Sequence, residues 1–287
     1  MQNPTRWLVL MLAFGVFIVP SRAGEQPPTP LTCILGAFDD ELVPFYQVMT
    51  EPKEEVLRGI HFAVGKLKGR AVIVCRSGIG KVNAAMVTTL LIQHYRPCEI
   101  IFTGIAGGTN PELRPGDIVI ATKMAQHDFG NLTAEGMEVR GTKSPVNWMR
   151  NPVFIEPDAR LLALADAAAK RVKLADIETA DGKRQPRITK GVVVTGDILV
   201  ASPAKKAGLR KALGADAVEM EGAAVAQVCR ELRVPWLVIR SISDGADHNA
   251  LQDMELFTAL AAQNSAHLVM EIVAQLAARP AAGKAAK

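Results

Sequence analysis

The chain has 287 residues, with 33 lysines and arginines against 29 aspartates and glutamates, and a formal net charge of +4. Hydrophobic residues make up 49% and charged residues 22%, which excludes a largely disordered chain, and a chain of this length can bury a core without disulfides. Aromatic residues make up 5% and no basic block carries interleaved aromatics, so a nucleic-acid partner is not expected.

The first segment, residues 1–23, has the pattern of a secretory signal peptide. Arg6 precedes an apolar run over residues 7–19, and small residues lie at and before Ala23. The alternative is a membrane anchor, but the run is short for a bilayer span of about 20 residues. We therefore predict cleavage near Ala23 and a secreted or periplasmic protein without stable membrane insertion. The prolines of residues 24–30 indicate an extended linker.

Buried strands and helices alternate along the rest of the chain. Short apolar runs predict strands at 31–37, 71–75, 99–103, 117–121, 191–195, 217–220 and 236–240. Helical periodicity and flanking prolines predict helices at 81–95, 158–171, 203–213, 221–232 and 253–278. We expect polar loops at 130–152 and 177–187 and a frayed tail at 280–287. This alternation indicates an α/β fold with a largely parallel sheet that is covered on both faces.

The cysteines give no sign of a metal or redox site. Cys33, Cys75, Cys98 and Cys229 show no C-x-x-C spacing. An oxidising compartment would allow a disulfide, but the apolar surroundings favour buried free cysteines. No cluster of histidines, cysteines and acids has metal-ligand spacing, so we expect no metal site and no cofactor.

The residues that follow the strands are the candidates for chemistry, because ligands of open α/β sheets bind at the carboxyl ends of the strands. Glu41, Glu221 and Asp244 each follow a predicted strand. The glycine-rich turn at 77–81 lies between a strand and a helix and could hold an anion on its N–H groups. It lacks the spacing of a Walker loop, however, and a simple tight turn also explains it.

Five segments follow one another along the chain: GAFDDE at 36–41, SGIGKVNAA at 77–85, TGIAGG at 103–108, VEMEGAA at 218–224 and RSISD at 240–244. In this order they resemble the nucleoside phosphorylase superfamily, and especially its 5′-methylthioadenosine/S-adenosylhomocysteine nucleosidase branch. The resemblance extends from about Thr32 to Leu276, which is nearly the whole mature chain.

The resemblance implies a three-layer α/β/α sandwich with a mixed, partly barrel-like central sheet, in one catalytic domain at 31–279. It also implies that water cleaves the N-glycosidic bond of a purine nucleoside and releases the base and a ribose derivative. We expect a small-molecule nucleoside substrate and a homodimer.

The family pattern also implies the groups that move protons. Glu41 would be the base that orients the attacking water, and Ser77 and Arg240 match positions that help to hold this water. Asp244 would protonate N7 of the leaving base, assisted by Ser243. The reaction needs such a set, because a purine anion leaves poorly until it is protonated and a carboxylate must activate water on the opposite face.

The same pattern implies the groups that bind substrate. Glu221 would bind the ribose hydroxyls, with Met220 packed on the sugar, and Gly107 belongs to the binding set. The backbone of Val200 matches the position that binds the purine edge. Leu199 stands where the family has an aromatic ring that stacks on adenine, so we expect weaker adenine binding and a broader or shifted choice of base.

Two features favour water over phosphate as the nucleophile. Phosphorylase relatives carry an arginine just before the glycine turn after the third strand, where this chain has Phe102, Thr103 and Gly104. They carry another near the first glycine loop, where Asp39 and Asp40 would repel phosphate. The alternatives are a phosphate-dependent purine nucleoside phosphorylase and a secreted nucleoside-binding or storage protein without turnover.

Overall fold

The computed structural model describes residues 30–179 and 182–278. Three predicted segments lie outside the described residues and stay predictions. They are the signal peptide at 1–23, the linker at 24–30 except for its last residue, and the tail at 280–287.

Strands and helices alternate as the sequence predicts. The strands are β1 Leu31–Gly36, β2 Thr50–Leu57, β3 Ile60–Leu67, β4 Arg70–Arg76, β5 Glu99–Gly108, β6 Ile118–Gln126, β7 Gly130–Thr133, β8 Gly136–Val139, β9 Ile177–Thr179, β10 Gly182–Arg184, β11 Ile188–Thr195, β12 Ala215–Glu219 and β13 Trp236–Asp244. The helices are α1 Val43–Tyr46, α2 Lys81–Tyr95, α3 Ala159–Ala169, α4 Pro203–Leu213, α5 Gly222–Leu232 and α6 Ala250–Ala277, and a short 3-10 turn, Asp39–Glu41, precedes α1.

One mixed sheet organises the fold. Its strand order is β12-β11-β6-β13-β5-β1-β4-β3-β2, and β12 also pairs with β5. The five strands β12, β11, β6, β13 and β5 therefore close into a barrel-like unit, whereas the remaining strands continue as an open sheet. Most neighbours in the barrel are parallel, but β13 with β6 and β12 with β5 are antiparallel. The mixed, partly barrel-like sheet that we expected is confirmed.

Helices cover both faces of the sheet, which gives three layers. Successive residues of a strand point to opposite faces, so Leu35 of β1 packs in the cluster that contains Leu91 of α2, together with residues of α5. Its neighbour Ile34 packs in the other cluster, with Leu164 of α3 and Leu268 of α6. Because both faces of the central strands are buried, their sequences read as continuous apolar runs.

The sequence analysis missed several strands, among them the exposed strand β2. The hairpin of β2 and β3 was not predicted, and seven of the eight residues of β2 are exposed. Its sequence TEPKEEVL has no apolar alternation, so no strand signal exists there. The polar segments at 130–152 and 177–187 are not simple loops, because they contain the hairpins β7–β8 and β9–β10.

The cysteines are free, and Cys33, Cys75 and Cys229 are buried as expected, whereas Cys98 is exposed. Within the described ranges, no helix is long and apolar enough to cross a membrane. Over the same residues, no group of three or more His, Cys, Asp or Glu side chains is placed to hold a metal ion.

Candidate active site

The carboxyl ends of β1, β5, β12 and β13 bring the predicted acids together. Glu41 lies in the 3-10 turn after β1 and is buried. Its Oε2 accepts a hydrogen bond from the backbone N–H of Ala37 at 2.5 Å, and its Oε1 accepts one from Ile105 at 2.9 Å. Burial raises the pKa of the Glu41 carboxyl, although Arg240 and the two N–H groups oppose this. The carboxylate is therefore fixed by backbone and faces the interior of the site.

Arg240 is a fully buried cation at the centre of the cluster. Its guanidinium lies 4.2 Å from the centre of the Phe102 ring, and its Nη2 donates to Oε2 of Glu219. The same nitrogen is 3.6 Å from Oε2 of Glu221. Nε and Nη1 have no hydrogen-bond partner among the residues that the structure describes. Nε and Nη1 of Arg240 can therefore donate hydrogen bonds to a bound polar molecule.

Gly104 explains how Arg240 and Glu41 come face to face. Gly104 in β5 pairs with Arg240 in β13. A Cβ atom on Gly104 would lie 2.1 Å from Nη1 of Arg240 and 2.2 Å from Oε1 of Glu41, which no side chain could occupy. The free guanidinium nitrogen and the carboxylate oxygen thus approach the same point above a glycine. A donor and an acceptor aimed at one point are what the orientation of a water molecule requires.

Glu221 connects the cluster to the glycine-rich turn. It lies at the start of α5, and its Oε1 accepts a hydrogen bond from the backbone N–H of Gly80 at 2.9 Å. Burial, followed by the charge of Glu219, raises the pKa of Glu221 to about 8. The next N–H of the turn, that of Lys81, donates to Oδ1 of Asp197 at 2.7 Å. These two amides, which could have held an external anion, bind carboxylates of the protein itself.

Asp244 lies at the end of β13. Its Oδ2 accepts from the hydroxyl of Ser243 at 2.7 Å, and its Oδ1 accepts from the N–H of Ala246 at 2.7 Å. Burial raises the pKa of Asp244, and these two hydrogen bonds only partly oppose it. A raised pKa suits a group that must hold a proton near neutral pH.

A small cavity next to Asp244 collects the predicted base-binding residues. It is lined by Gly107, Ile198, Leu199, Val200, Val218, Glu219, Met220 and Asp244. Val200 is buried, whereas the Leu199 side chain is 44% exposed. A Cβ atom on Gly107 would lie 2.9 Å from Oδ1 of Asp244, so glycine is needed for the close approach of β5 to this acid.

Ser77 is the predicted site residue that the structure does not join to the cluster. Its hydroxyl donates to the carbonyl of Gly78 at 3.0 Å, and its N–H donates to the carbonyl of Gly36 at 2.8 Å. It lines a wide groove beside the β2–β3 hairpin, together with Asp39 and Arg76. A role for Ser77 in holding water stays a prediction.

Glu219 is the site residue that the sequence analysis missed. It is buried at the end of β12 and forms the ion pair with Arg240. The sequence did offer one signal for it, an acid within a predicted buried strand two residues before Glu221. A buried carboxylate requires a partner, so this acid could have been predicted to form an ion pair. A sequence alone does not show which cation that partner is.

His127 and Asp128 contact the segment at 196–197, which precedes the predicted base-binding residues Leu199 and Val200. Asp128 binds Nζ of Lys81 at 2.6 Å through Oδ1 and accepts from the N–H of Asp197 at 2.8 Å through Oδ2. His127 is buried, and a Cβ on Gly196 would lie 2.3 Å from its Nε2. These contacts connect the segments after β6 and β11 to the start of α2.

The fold and the site define a protein of the phosphorylase superfamily. The model of that family matches residues 32–274, and the chain belongs to it.

Within the superfamily the chain is similar to the 5′-methylthioadenosine/S-adenosylhomocysteine nucleosidases. The enzyme of that name from Shewanella pealeana is 38% identical over 244 residues, which are 85% of this chain and 98% of the relative. The crystal structure of such a nucleosidase from Colwellia psychrerythraea 34H, in complex with adenine, superposes with a TM-score of 0.75 at 33% identity and covers 86% of this chain and 96% of the other. The structure of futalosine hydrolase from Helicobacter pylori superposes with a TM-score of 0.73 at 31% identity, covering 86% and 98%.

Proposed function

We propose that this protein hydrolyses the N-glycosidic bond of 5′-methylthioadenosine, S-adenosylhomocysteine or a similar purine nucleoside, and releases the base and a ribose derivative. It is an N-glycosyl hydrolase of the phosphorylase superfamily. The observation that carries the proposal is the pair formed by Glu41 and Arg240, which meet above Gly104 at the strand ends.

The proposed reaction divides its proton transfers between two acids. Asp244 donates a proton to N7 of the purine, and the electron pair of the C1′–N9 bond leaves with the base. Positive charge that develops on the ribose is then captured by water, whose proton passes to the Glu41 carboxylate. Arg240 directs the water through its free Nη1, and solvent returns the proton from Glu41 to Asp244. Acid and base help of this kind contributes about 10²–10⁴-fold each.

Glu221 is the proposed ligand of the ribose hydroxyls. Its carboxyl lies between Gly80 and Arg240 and next to Met220, the residue proposed to pack on the sugar. The two oxygens of one carboxyl fit a cis-diol, and the ionised form of Glu221 stabilises the developing cation of the sugar.

The state of the glycine-rich turn supports water as the nucleophile. The N–H groups of Gly80 and Lys81 already bind the carboxyl groups of Glu221 and Asp197, so they are not directed at an external phosphate. A phosphorylase needs cationic or N–H donors directed at phosphate. Among the described residues, the unpartnered nitrogens of Arg240 lie beside the acids Glu41, Glu219 and Glu221.

Release of adenine from methylthioadenosine tests the proposal. Purified protein is mixed with methylthioadenosine, S-adenosylhomocysteine and futalosine in separate reactions, and free base is separated and quantified. We expect turnover of at least one of them, and a rate about 10²–10⁴-fold lower with Asp244→Asn. Stoichiometric binding without release of base would instead establish a nucleoside-binding or storage protein.

Futalosine belongs in the substrate panel because of one sequence feature. Leu199 replaces the aromatic ring that the family uses to stack on adenine, and the futalosine hydrolase from Helicobacter pylori has a similar fold. Preferential cleavage of futalosine would make this second nucleosidase activity the function.

A homodimer is proposed as the working form. Its support is an exposed apolar face at the start of α2, where Ile79, Val82 and Met86 are 56%, 79% and 50% exposed. Apolar side chains that cluster at a surface indicate a protein interface. Light scattering after size-exclusion chromatography should give twice the monomer mass, and Val82→Glu with Met86→Glu should halve it. A wild-type monomer would contradict the dimer.

Export is proposed from the sequence pattern of residues 1–23. The exported protein should begin at Gly24, be recovered in a soluble fraction outside the cytosol, and give that N-terminal sequence. A protein that retains Met1 in a membrane fraction would favour an anchor.

A further inference from the structure

Glu219 has an unusually complete set of hydrogen bonds for a side chain with no assigned role. Its Oε1 accepts from the hydroxyl of Thr195. Its Oε2 accepts from Nη2 of Arg240 and from the backbone N–H groups of Glu221, at 3.0 Å, and Gly222, at 2.8 Å. The residue is 6% exposed. A carboxylate with this many donors is held in one orientation.

These contacts fix the orientation of Arg240. A guanidinium is planar, so an ion pair at Nη2 and the face of the Phe102 ring together determine where Nη1 points. Nη1 then lies at the point above Gly104 that Oε1 of Glu41 also approaches. Without Glu219, Arg240 would be free to turn toward Glu41 or Glu221 and close that point.

The same carboxylate fixes the residue proposed to bind ribose. Glu221 and Gly222 are the first residues at the N-terminus of α5, and their N–H groups have no partner within the helix. Glu219 satisfies both groups, as a helix cap does, and its negative charge is favourable at this end of the helix. The backbone of Glu221 is therefore held by the same side chain that holds Arg240.

We infer that Glu219 is a positioning residue that couples the water-directing Arg240 to the ribose-binding Glu221, although its carboxylate takes no proton in the reaction. The inference rests on the proposed function, since it concerns the same site. It predicts that the removal of one charge, at a residue outside the proton transfers, disturbs both the water side and the ribose side of the reaction.

The charges of the cluster supply an independent readout. The groups that face Glu221 are Glu219, Arg240, Glu41 and the N–H of Gly80. Glu219 raises the pKa of Glu221, and Arg240 opposes this. In a Glu219→Gln variant, the repulsion between residue 219 and Glu221 is lost, and Arg240 is released to pair with Glu221. The ionisation of Glu221 should then move to lower pH.

The test compares Glu219→Gln with Glu99→Gln. Glu99 is a matched control because it is also a buried carboxylate paired with arginine, at Arg70, but lies at the other end of β5. Both variants should lose thermal stability. Only Glu219→Gln should lower kcat for the nucleoside, by about 100-fold, as expected for displaced reacting groups. It should also shift the ionisation seen in kcat/KM to lower pH by about one unit.

A second variant covers the case in which Glu219→Gln does not fold. Thr195→Val removes the hydroxyl that donates to Glu219 but keeps every charge, and we expect a kcat decrease of about 10-fold without the pH shift. Suppose that the wild type releases base. The inference is then wrong if folded Glu219→Gln keeps the wild-type pH profile, or if either folded variant keeps kcat within about threefold of the wild type. The proposed function stands in both cases. If the wild type releases no base, the proposed function has failed first.

Discussion

The two ends of the central sheet each contain a buried arginine–carboxylate cluster, and they differ in how completely their hydrogen bonds are made. At the amino ends of β1 and β5, Glu99 accepts from Thr32 at 2.6 Å, Arg70 at 2.7 Å and Arg160 at 2.9 Å. At the carboxyl ends, Arg240 is paired with Glu219, yet its Nε and Nη1 have no partner within the described ranges. Similar chemical groups thus serve different purposes.

The difference shows which of the two clusters can bind a polar ligand. A buried donor without a partner costs about 1–3 kcal/mol, so unpartnered guanidinium nitrogens beside a carboxyl mark a place where a bound polar molecule would be favourable. The Glu99 cluster satisfies its own polar atoms and stabilises the fold. The Arg240 cluster keeps unpartnered nitrogens beside Glu41 and holds two carboxyls with raised pKa values, Glu41 and Glu221. The incomplete cluster is the candidate for chemistry.

The largest expected effect concerns the acid at the carboxyl end of β13. Asp244→Asn should retain the fold but lower kcat by about 10²–10⁴-fold, because an amide cannot deliver a proton to N7. Steady-state kinetics with methylthioadenosine measures this. The matched control is Asp247→Asn, three residues further on, which should stay close to wild type. Near-normal kcat in Asp244→Asn would remove Asp244 from the mechanism.

A glycine pair tests the close approach above Gly104. Gly104→Ala places a Cβ about where Arg240 and Glu41 meet, and overpacking of this kind costs about 1–3 kcal/mol. Gly208→Ala in α4 has no atom within 4 Å of the new Cβ and should stabilise the helix by about 0.5–1 kcal/mol. Urea unfolding compares the two, and activity should fall only in the first. Equal stability of both variants would show that the approach is looser than described.

The pH dependence of stability tests whether Glu221, in the Arg240 cluster, holds a proton near neutral pH. The pKa of Glu221 is raised to about 8 in the folded protein, above its ordinary value of 4.5. Its contribution to stability is therefore complete below about pH 4.5 and is lost as pH rises through 8. The Tm of the wild type should fall relative to Glu221→Gln over this interval. A constant Tm difference would mean that Glu221 ionises normally.

The smallest expected effect concerns Leu199, an exposed residue that is predicted to cover the base. Leu199→Phe restores a ring that can stack on a purine, and stacking helps the ground state and the transition state alike. We expect KM for methylthioadenosine to fall about fivefold, or about 1 kcal/mol, with little change in kcat. If KM rises instead, another side chain such as Phe257 already covers the base, and the inference from Leu199 fails.

The sequence was most informative where strands are buried on both faces. Such strands read as apolar runs, so the amino-acid sequence alone places their ends, and with them Glu41, Glu221 and Asp244, at one edge of the sheet. The β2–β3 hairpin was missed because β2 is exposed and charged, and carries no alternation. Its position depends on the pairing of β3 with β4, which is a tertiary effect.

Pairing between distant residues set the other limit. Glu219 looked like an ordinary acid in a strand, because nothing local reveals that Arg240, 21 positions away, lies beside it. The glycine-rich turn was similarly ambiguous, since only the fold shows that its Gly80 amide is taken by Glu221. Motif order identified the family, but the ion pairs inside the site depend on how distant segments meet in three dimensions.

Phosphate dependence separates water from phosphate as the nucleophile most directly. The rate of base release from methylthioadenosine is measured in phosphate-free buffer and again with added inorganic phosphate, and the sugar product is analysed for phosphorus. Because the Gly80 and Lys81 amides bind the protein's own carboxylates, the rate should be the same in both buffers and the product should be the free sugar. A reaction that requires phosphate and yields a sugar 1-phosphate would contradict hydrolysis and assign the chain to the phosphorylases.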